Sequence, residues 1–351
     1  MTIVVRSSYF VGLLVLCLAM AFGFRSTSAY AAERQLRLNE IQVIGSHNSY
    51  KLAMAPERFA ELQASRPELA KSLEYWHVPL NEQLDLGLRK LELDVFYDPD
   101  GSLFGRNETA SASRSASSFP VLHVQTLDDR SSCVNLLTCL TVIRRWSDAH
   151  PRHVPVIISI NAKDTVYDRP GYIQPRPYVA DAWLALDAEF GAVLGDKLIT
   201  PAEVFESGTR TWPTLADSRG RFLAVLDEGG EKRRVYAGIW RERLLFANLP
   251  AGEAGAAVMI VNDPIRDFER IKNLVREGYL VRTRADADTA EARSGSTERR
   301  DRAFASGAQM ISTDYYGQAK HFGTTYQVVL PGKRAVRCNP VLIAEHCEIE
   351  E

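Results

Sequence analysis

The sequence has almost no net charge, no long apolar run beyond its first 24 residues and only five cysteines. Lysine and arginine number 42 against 44 acidic residues, a formal net charge of −2, so no basic surface points to a nucleic acid partner. No internal run is long and apolar enough to span a bilayer. The 351 residues, 46% hydrophobic and 25% charged, are typical of a globular protein with one large barrel domain or two ordinary domains.

The N-terminus differs from the rest of the chain. Arg6 precedes an apolar run over residues 9–24, and small residues then lead to Ala29-Tyr30-Ala31. This pattern is typical of a secretory signal peptide with an A-x-A cleavage site. We therefore expect residues 1–31 to be a signal peptide and the mature chain to be secreted or periplasmic. An uncleaved membrane anchor is the alternative.

Removal of that segment leaves four cysteines, and an even number in an exported chain favours disulfides. Three connectivities are available to Cys133, Cys139, Cys338 and Cys347. We expect the local pairing, Cys133 with Cys139 and Cys338 with Cys347, which closes two short loops. Reduced, buried thiols are the alternative.

Apolar, strand-like runs alternate with amphipathic, helix-like stretches along the mature chain. Most of the strand-like runs are almost continuously apolar, as in strands that are covered on both faces. They are Ile41–Ser46, Lys90–Phe96, Pro120–Val124, Val154–Asn161, Arg221–Leu226, Ala257–Val261, Tyr279–Thr283 and Gln309–Thr313. The helix-like stretches are Asn81–Leu86, Leu136–Ala149, Tyr178–Phe190, Ile265–Glu277 and Thr297–Ala305.

Eight strands with intervening helices predict an α/β fold, a (β/α)₈ TIM barrel that forms a single domain over residues 32–351. An open doubly wound sheet is the alternative. Such a sheet usually carries a glycine-rich phosphate loop after its first strand, and Gly45-Ser46-His47-Asn48 is not one.

A few segments fall outside this simple repeat. Lys51–His77 is long and of mixed composition, which predicts either a helical lid or a surface insertion. Asn107–Ser118 is rich in Ser and Ala and is expected to be a flexible loop. Asp286–Arg300 is expected to be a solvated loop that leads into a helix. The chain from Phe322 onward is expected to be a strand followed by a disulfide-closed tail.

Two carboxylates lie in the hydrophobic second strand. Side chains of a strand alternate between its faces, so Glu92 and Asp94 point the same way. Their repulsion and desolvation need compensation. A bound cation, a buried arginine or a shared proton would supply it.

Polar residues cluster at the ends of several predicted strands, where barrel enzymes carry their catalytic groups. Glu92, Asp94 and the amides of Asn48 and Asn161 are hard oxygen donors suited to Ca²⁺ or Mg²⁺. Cysteine is absent from these strand ends, which argues against structural zinc. Two histidines beside a divalent cation suit phosphodiester chemistry. The residues at the strand ends are His47, Asn48, Glu92, Asp94, His123, Asn161, Lys163, Arg282, Arg284, Asp314, Tyr315 and Tyr316.

The ordered set of motifs resembles the secreted bacterial calcium-dependent phosphoinositide phospholipases C, in the PLC-like phosphodiesterase barrel superfamily. The matching stretches are IQVIGSHNSY (41–50), YWHVPLNEQLDLGLRKLELDVF (75–96), VLHVQT (121–126), PVIISINAKD (155–164), LVRTRADADTAEAR (280–293) and GAQMISTDYY (307–316). The resemblance implies hydrolysis of phosphatidylinositol to diacylglycerol and an inositol phosphate. It also implies a cyclic phosphodiester intermediate and a need for Ca²⁺, with Mg²⁺ as the alternative.

The resemblance also implies roles for individual residues. His47 and His123 match the catalytic pair: His47 would stabilise phosphoryl charge, and His123 would protonate the leaving oxygen. Glu92 would help the cation to deprotonate the attacking hydroxyl. The implied metal ligands are Asn48, Glu92, Asp94 and Asn161, and the implied substrate-binding residues are Lys163, Arg282, Asp314 and Tyr315.

Asn161 departs from the family pattern, which has an acidic ligand at this position. An amide oxygen still binds Ca²⁺, but the site loses one negative charge, so we expect either weaker metal affinity or a missing ligand that water or substrate supplies.

Two other functions compete with this interpretation. A glycerophosphodiester phosphodiesterase shares the barrel and the E-x-D, but that family typically has Arg after its first catalytic His, where this chain has Asn48. A non-catalytic exported protein that binds a lipid or sugar phosphate is the second alternative, and only Asn161 favours it. The expected partner is a phospholipid at a membrane surface. No protein partner is evident, and a monomer is expected.

Overall fold

The computed structural model describes residues 36–104, 119–344 and 347–351. The predicted signal peptide and the predicted loop Asn107–Ser118 lie outside these ranges. Among the described residues, no helix has the length and apolar character needed to cross a membrane.

Parallel strands alternate with helices along the described chain. The strands are β1 (Ile41–Ser46), β2 (Lys90–Phe96), β3 (Val156–Lys163), β4 (Leu198–Ile199), β5 (Phe222–Leu226), β6 (Phe246–Ala247), β7 (Val258–Ile260), β8 (Leu280–Arg284), β9 (Met310–Thr313) and β10 (Val336–Cys338). The helices are α1 (Pro56–Ser65), α2 (Pro67–Ser72), α3 (Leu80–Asp85), α4 (Leu136–Ala149), α5 (Ala180–Val193), α6 (Pro201–Val204), α7 (Leu215–Ser218), α8 (Gly230–Ala237), α9 (Phe268–Arg276), α10 (Ala290–Ser294) and α11 (Glu298–Ala305).

The sheet runs in the order β4-β5-β3-β2-β1-β9-β8-β7, and β6 also pairs with β5. A parallel bridge between Asn248, which follows β6, and Val258 of β7 joins the two ends. Within the described ranges, eight strands therefore complete a ring: β1, β2, β3, β5, β6, β7, β8 and β9. The predicted TIM-barrel fold is confirmed. Its weakest join lies between the short strands β6 and β7.

One of the eight predicted strands is wrong. Pro120–Val124 does not form a barrel strand; Val121 makes a single antiparallel bridge with Val95, and Val124 makes another with Asp128. The chain reverses at Thr126, which adopts a left-handed φ of 68°. This tight turn keeps the segment out of the ring, and β6, too short to produce a recognisable sequence pattern, takes the eighth position.

The remaining predicted elements mostly agree with the structure. β1, β2 and α4 have the predicted bounds, and the other predicted strands and helices are shifted by a few residues at one or both ends. Lys51–His77 contains α1 and α2, and Leu62 of α1, Ala70 of α2 and Leu73 share a small hydrophobic cluster. Asp286–Arg300 contains α10 as well as the start of α11.

Strand β2 divides its side chains between two environments. Leu91, Leu93 and Val95 pack outward against the surrounding helices in the largest hydrophobic cluster. Lys90 and Glu92, on the opposite face, lie inside the barrel. The alternation expected for a strand thus places the E-x-D carboxylates in the interior and at the mouth of the barrel.

Both expected disulfides are present. Cys133–Cys139 lies at the start of α4, and Cys338–Cys347 closes the C-terminal tail. The tail begins with β10, which pairs antiparallel with β1. It ends where the Glu351 carboxylate meets Arg89, with Nη2 and Oε1 2.6 Å apart.

Gly45 permits the close approach of β1 and β2. It is the residue of β1 that pairs with Lys90, and a Cβ atom at this position would lie 2.1 Å from the Lys90 carbonyl oxygen. No side chain fits there unless the two strands separate. This contact fixes Lys90 and Glu92 relative to the end of β1.

We expect Gly45→Ala to destabilise the protein by about 3 kcal/mol, because the added methyl group meets backbone rather than a movable side chain. Urea unfolding followed by circular dichroism would measure the change. Gly229→Ala is the matched control, because no atom lies within 4 Å of the added Cβ. Equal stability of the two variants would contradict the close packing of β1 against β2.

Candidate active site

A pocket of about 410 Å³ opens at the carboxyl ends of the barrel strands. His47 and Asp314 follow β1 and β9, and Arg284 ends β8. His123 enters the pocket from the turn that replaces the predicted third strand. The lining residues are His47, Arg66, Leu69, Ser72, Leu73, Tyr75, His123, Val124, Leu127, Tyr167, Arg169, Tyr172, Arg284, Asp288 and Asp314.

Glu92 lies beneath this pocket in a buried ion cluster. Its Oε2 accepts hydrogen bonds from Lys90 Nζ and from Arg282 Nη2, the latter at 2.8 Å. Burial by itself would raise the pKa of Glu92, but Arg282 and then Lys90 hold it well below its ordinary value. Burial lowers the pKa of Lys90 to about 8. Glu92 is therefore a fixed anion and a weak base.

Asp94 lies one pleat further along β2, nearer the mouth. Asn161 is its partner across the β2–β3 pair, and Asn161 Nδ2 donates to Asp94 Oδ1 at 2.8 Å. The same nitrogen donates to Glu92 Oε1 at 3.2 Å. Lys163 Nζ lies 3.2 Å from Asp94 Oδ2. The two carboxylates therefore direct one oxygen each toward a single point, which the Asn161 amide fills.

This point fits a hard cation. Within the described ranges no three His, Cys, Asp or Glu side chains converge closely enough to hold a metal, so a cation bound here would need further oxygens from amides, water or substrate. Asn161 Nδ2 stands where two carboxylate oxygens attract positive charge. Rotation of its amide presents Oδ1 to the same point, and carboxylate and amide oxygens are Ca²⁺ ligands. Asn48 is buried nearby on the turn after β1, where its Nδ2 donates to the Tyr75 hydroxyl at 2.7 Å.

His47 is held between carboxylates. Its Nδ1 lies 3.0 Å from Asp314 Oδ1, and its Nε2 lies 3.6 Å from Glu92 Oε1. Burial, and next the Arg284 guanidinium, lower the pKa of His47 from its ordinary value, although Asp314 and Glu92 oppose the shift. The neutral ring donates its Nδ1 hydrogen to Asp314, which leaves the Nε2 lone pair free.

His123 is held in the same way by another carboxylate. Its Nδ1 lies 2.8 Å from Asp128 Oδ2. Lys51 Nζ lies 3.4 Å from the same oxygen. Burial would raise the pKa of Asp128, but the hydrogen bond from His123 and the charge of Lys51 hold it below its ordinary value. Asp128 thus fixes the tautomer of His123 that carries its second nitrogen toward the pocket.

Of the four predicted substrate-binding residues, two lie at the mouth of the barrel and two are buried outside the pocket. Asp314 and Lys163 lie at the mouth, paired with His47 and Asp94 respectively. Arg282 is buried below Glu92 and bonds Asn262 and Ser312, so it supports Glu92 rather than lining the pocket. Tyr315 is buried in a hydrophobic cluster outside the pocket.

Arg284 is the arginine at the pocket wall. Its Nη2 lies 3.5 Å from both His47 Nδ1 and Asp314 Oδ2. Side chains of a strand alternate between its faces, so Arg282 and Arg284, two residues apart on β8, share a face. Which of the two arginines lines the pocket depends on how deep each lies in the barrel. Arg284 lies one pleat nearer the mouth.

Several groups of the site were not assigned from the sequence. Asp128, Lys51 and His77 belong to the loops around the histidines, and no periodic pattern marks them. His77 Nε2 bonds the His47 carbonyl oxygen at 2.7 Å, and burial lowers the pKa of His77 to about 4.

Asp227 follows β5, and burial raises its pKa to about 6, with the charges of Glu92 and Asp94 adding to the rise. The position of Asp227, a polar residue directly after a predicted strand, is the sequence signal that could have identified it as a site residue.

Asp286 secures the backbone at the end of β9. Its carboxylate accepts hydrogen bonds from the Thr313 hydroxyl and from the Asp314 amide, the latter at 2.8 Å. Burial, and next the charge of Asp314, raise the pKa of Asp286 to about 7. Asp314 is thereby held in the position from which it orients His47.

Comparison with known proteins identifies a family. The model of a family described as phosphoinositide phospholipase C, Ca²⁺-dependent, matches residues 36–340. A comparison with curated proteins found no match.

Solved structures with a similar fold include a calcium-dependent phosphoinositol-specific phospholipase C from Pseudomonas sp. It is 18% identical, the alignment covers 88% of this chain and 96% of that one, and the TM-score is 0.53. A Ca²⁺-dependent phosphatidylinositol-specific phospholipase C from Streptomyces antibioticus is also 18% identical, with 82% and 97% covered and a TM-score of 0.50. At these identities the likeness shows a shared fold.

We expect Asn161→Asp to bind Ca²⁺ at least about tenfold more tightly than the wild-type protein, because a third carboxylate would face the point between Glu92 and Asp94. Isothermal titration calorimetry with CaCl₂ would measure the affinity directly. Asn273→Asp adds the same charge on the outer helix α9 and should leave the affinity unchanged. An unchanged affinity in Asn161→Asp would place the calcium site elsewhere.

Proposed function

The chain belongs to the Ca²⁺-dependent phosphoinositide phospholipase C family, and we propose that it hydrolyses the head-group phosphodiester of phosphatidylinositol and releases diacylglycerol. One observation carries the proposal. Two histidines face one pocket, and each has its Nδ1 fixed by a buried carboxylate, 3.0 Å away for His47 and 2.8 Å away for His123. Two histidines oriented in this way can act as a base and an acid in the same reaction.

In the first step, His47 is the base, and not the group that stabilises phosphoryl charge as the sequence resemblance implies, because its Nδ1 is held by Asp314. Its free Nε2 takes the proton of the inositol 2-hydroxyl while that oxygen attacks phosphorus. The imidazolium that forms lies between the carboxylates of Asp314 and Glu92 and is stabilised by both. Glu92, proposed from the sequence as a helper in deprotonation, acts here through its charge, because its low pKa makes it a weak base.

His123, in its doubly protonated imidazolium form, is the acid of the same step: Nδ1–H stays on Asp128, and Nε2–H faces the leaving oxygen. As the bond between phosphorus and the glycerol oxygen breaks, His123 donates a proton to that oxygen, and diacylglycerol leaves. The other product is an inositol cyclic phosphate. In a second step the roles reverse: His123 takes a proton from water, which attacks phosphorus, and His47 returns its proton to the 2-oxygen.

The residues proposed to hold Ca²⁺ are Asn48, Glu92, Asp94 and Asn161. When bound, the cation offsets negative charge on the phosphoryl oxygens and lowers the pKa of the attacking hydroxyl. Arg284 lies beside His47, where its guanidinium can bind a phosphoryl oxygen. Lys163 can reach the phosphate only by leaving Asp94.

We also propose that the protein is exported and that its substrate lies in a membrane surface. The two disulfides fit an oxidising compartment, in agreement with the proposed signal peptide over residues 1–31. The substrate is then a phospholipid in a membrane surface, and the protein acts as a monomer without a protein partner.

Hydrolysis assays test the reaction. We expect release of diacylglycerol from phosphatidylinositol in Ca²⁺, little release in chelator, and none from phosphatidylcholine. His123→Ala should lower kcat by about 100-fold or more, the usual contribution of a general acid, while calorimetry shows unchanged Ca²⁺ binding. His150→Ala, an exposed histidine at the end of α4, is the matched control.

Two outcomes would replace the proposal. Cleavage of glycerophosphoinositol without cleavage of phosphatidylinositol would identify a glycerophosphodiester phosphodiesterase. Tight Ca²⁺ binding without turnover of any of these substrates would identify a non-catalytic binding protein. Asn161→Asp, which restores the acidic residue of the family pattern, would then be the first variant to assay for activity.

A further inference from the structure

We propose that Lys51, a fully buried lysine outside the pocket, is a positioning residue that keeps Asp128 ionised so that His123 can protonate the leaving oxygen. The inference rests on the proposed function, because it assigns Lys51 to one half of that reaction. Lys51 does not line the pocket, so it acts through Asp128 and not on the substrate.

The ammonium group of Lys51 has three acceptors. It donates to the carbonyl oxygens of Leu73 at 3.0 Å and of Tyr75 at 2.8 Å, and Asp128 Oδ2 lies 3.4 Å away. Its side chain is 0% exposed. A buried charge is costly unless it is fully paired, and here the three donors of the ammonium match three oxygens.

Lys51 is the second of the two groups that stabilise the charge of Asp128: burial raises the pKa of this carboxyl group, and the hydrogen bond from His123 and then the charge of Lys51 bring it below its ordinary value. The carboxylate is 1% exposed, and its Oδ2 meets both Lys51 and His123. Its Oδ1 has no hydrogen-bond partner among the residues that the structure describes. Burial lowers the pKa of Lys51 and the charge of Asp128 opposes that shift, so Lys51 and Asp128 stabilise each other's charged forms beside an otherwise poorly solvated carboxylate oxygen. Without Lys51, burial would drive Asp128 toward the protonated form.

Protonation of Asp128 would disturb the acid. A neutral carboxyl group no longer attracts the Nδ1 hydrogen of His123, so the ring is free to change tautomer or to rotate. The second nitrogen would then lose its orientation toward the leaving oxygen. The attack on phosphorus, which depends on His47 and Asp314, would be less affected, because Asp314 has its own cation in Arg284.

A pair of substrates with different leaving groups separates these two effects. Phosphatidylinositol releases an alkoxide, which needs a proton from His123. The 4-nitrophenyl ester of inositol 1-phosphate releases a stable phenolate, which needs none. Both substrates require the same base and the same phosphate contacts.

The variants to measure are Lys51→Met and Lys51→Gln, the second of which keeps donors for the two backbone carbonyls without the charge. We expect kcat/KM for phosphatidylinositol to fall about 100-fold and that for the nitrophenyl ester to fall less than about tenfold. The ratio of the two rates is taken on one sample, so a smaller folded fraction cancels. Lys51→Arg, which keeps the charge, should retain the wild-type ratio even if both rates fall.

Two controls complete the design. Lys71→Met removes a surface lysine paired with Glu68 and should leave both rates unchanged. Asp128→Asn should lower the ratio as Lys51→Met does, and the double variant Lys51→Met/Asp128→Asn should be no worse than either single variant, because both remove one interaction.

An equal loss on both substrates in Lys51→Met and Lys51→Gln would show that Lys51 serves stability alone and would overturn the inference. So would full additivity of the Lys51 and Asp128 variants. If the wild-type protein cleaved neither substrate, the proposed function itself would fail, and the variants would not be needed to show it. If the wild-type protein cleaves both substrates, the ratio of the two rates in the variants tests the role of Lys51.

Discussion

The site depends on the buried contact of Glu92 with Lys90 and Arg282. Two cations and one carboxylate meet inside the barrel, where each alone would be too costly to bury. Gly45 lets β1 approach β2 closely, and Lys90 also donates to the carbonyl oxygen of Ser46 on β1 at 3.3 Å. Because Arg282 and Lys90 hold one oxygen of Glu92, the other oxygen, Oε1, is left to face Asn161 and His47. The cluster therefore fixes the charged Glu92 carboxylate at the base of the pocket.

Above this carboxylate, the two histidines of the site are held by the same arrangement of charged groups. A histidine is oriented by a buried carboxylate, and the histidine together with a neighbouring cation holds the pKa of that carboxylate below its ordinary value. Asp314 and Arg284 do this for His47, and Asp128 and Lys51 do it for His123. The two histidines differ in what surrounds them: His47 has Glu92 on its second nitrogen, which favours taking a proton. In the proposed reaction, this difference makes His47 the base and His123 the acid.

Much of the fold and part of the site could be predicted from the sequence. Strand β2 is a continuous apolar run interrupted only on one face, so its bounds and the shared face of Glu92 and Asp94 follow from period-two alternation. The role of Arg282 does not follow, because two arginines of β8 share a face and only barrel depth separates them. Asp128 and Lys51 were missed for a related reason. They meet through a turn with a left-handed residue, Thr126, and through a loop contact 77 residues apart in sequence, from residue 51 to residue 128, which no local pattern encodes.

We propose that Glu92 and Asp94 direct their oxygens at one cation site beside His47. A crystal structure grown in Ca²⁺, with the ion identified by its anomalous scattering, would locate the cation. We expect an ion in contact with both carboxylates and with the oxygen of Asn161, whose amide turns over to bind it. An ion bound elsewhere, with the Asn161 nitrogen still between the two carboxylates, would contradict the proposal.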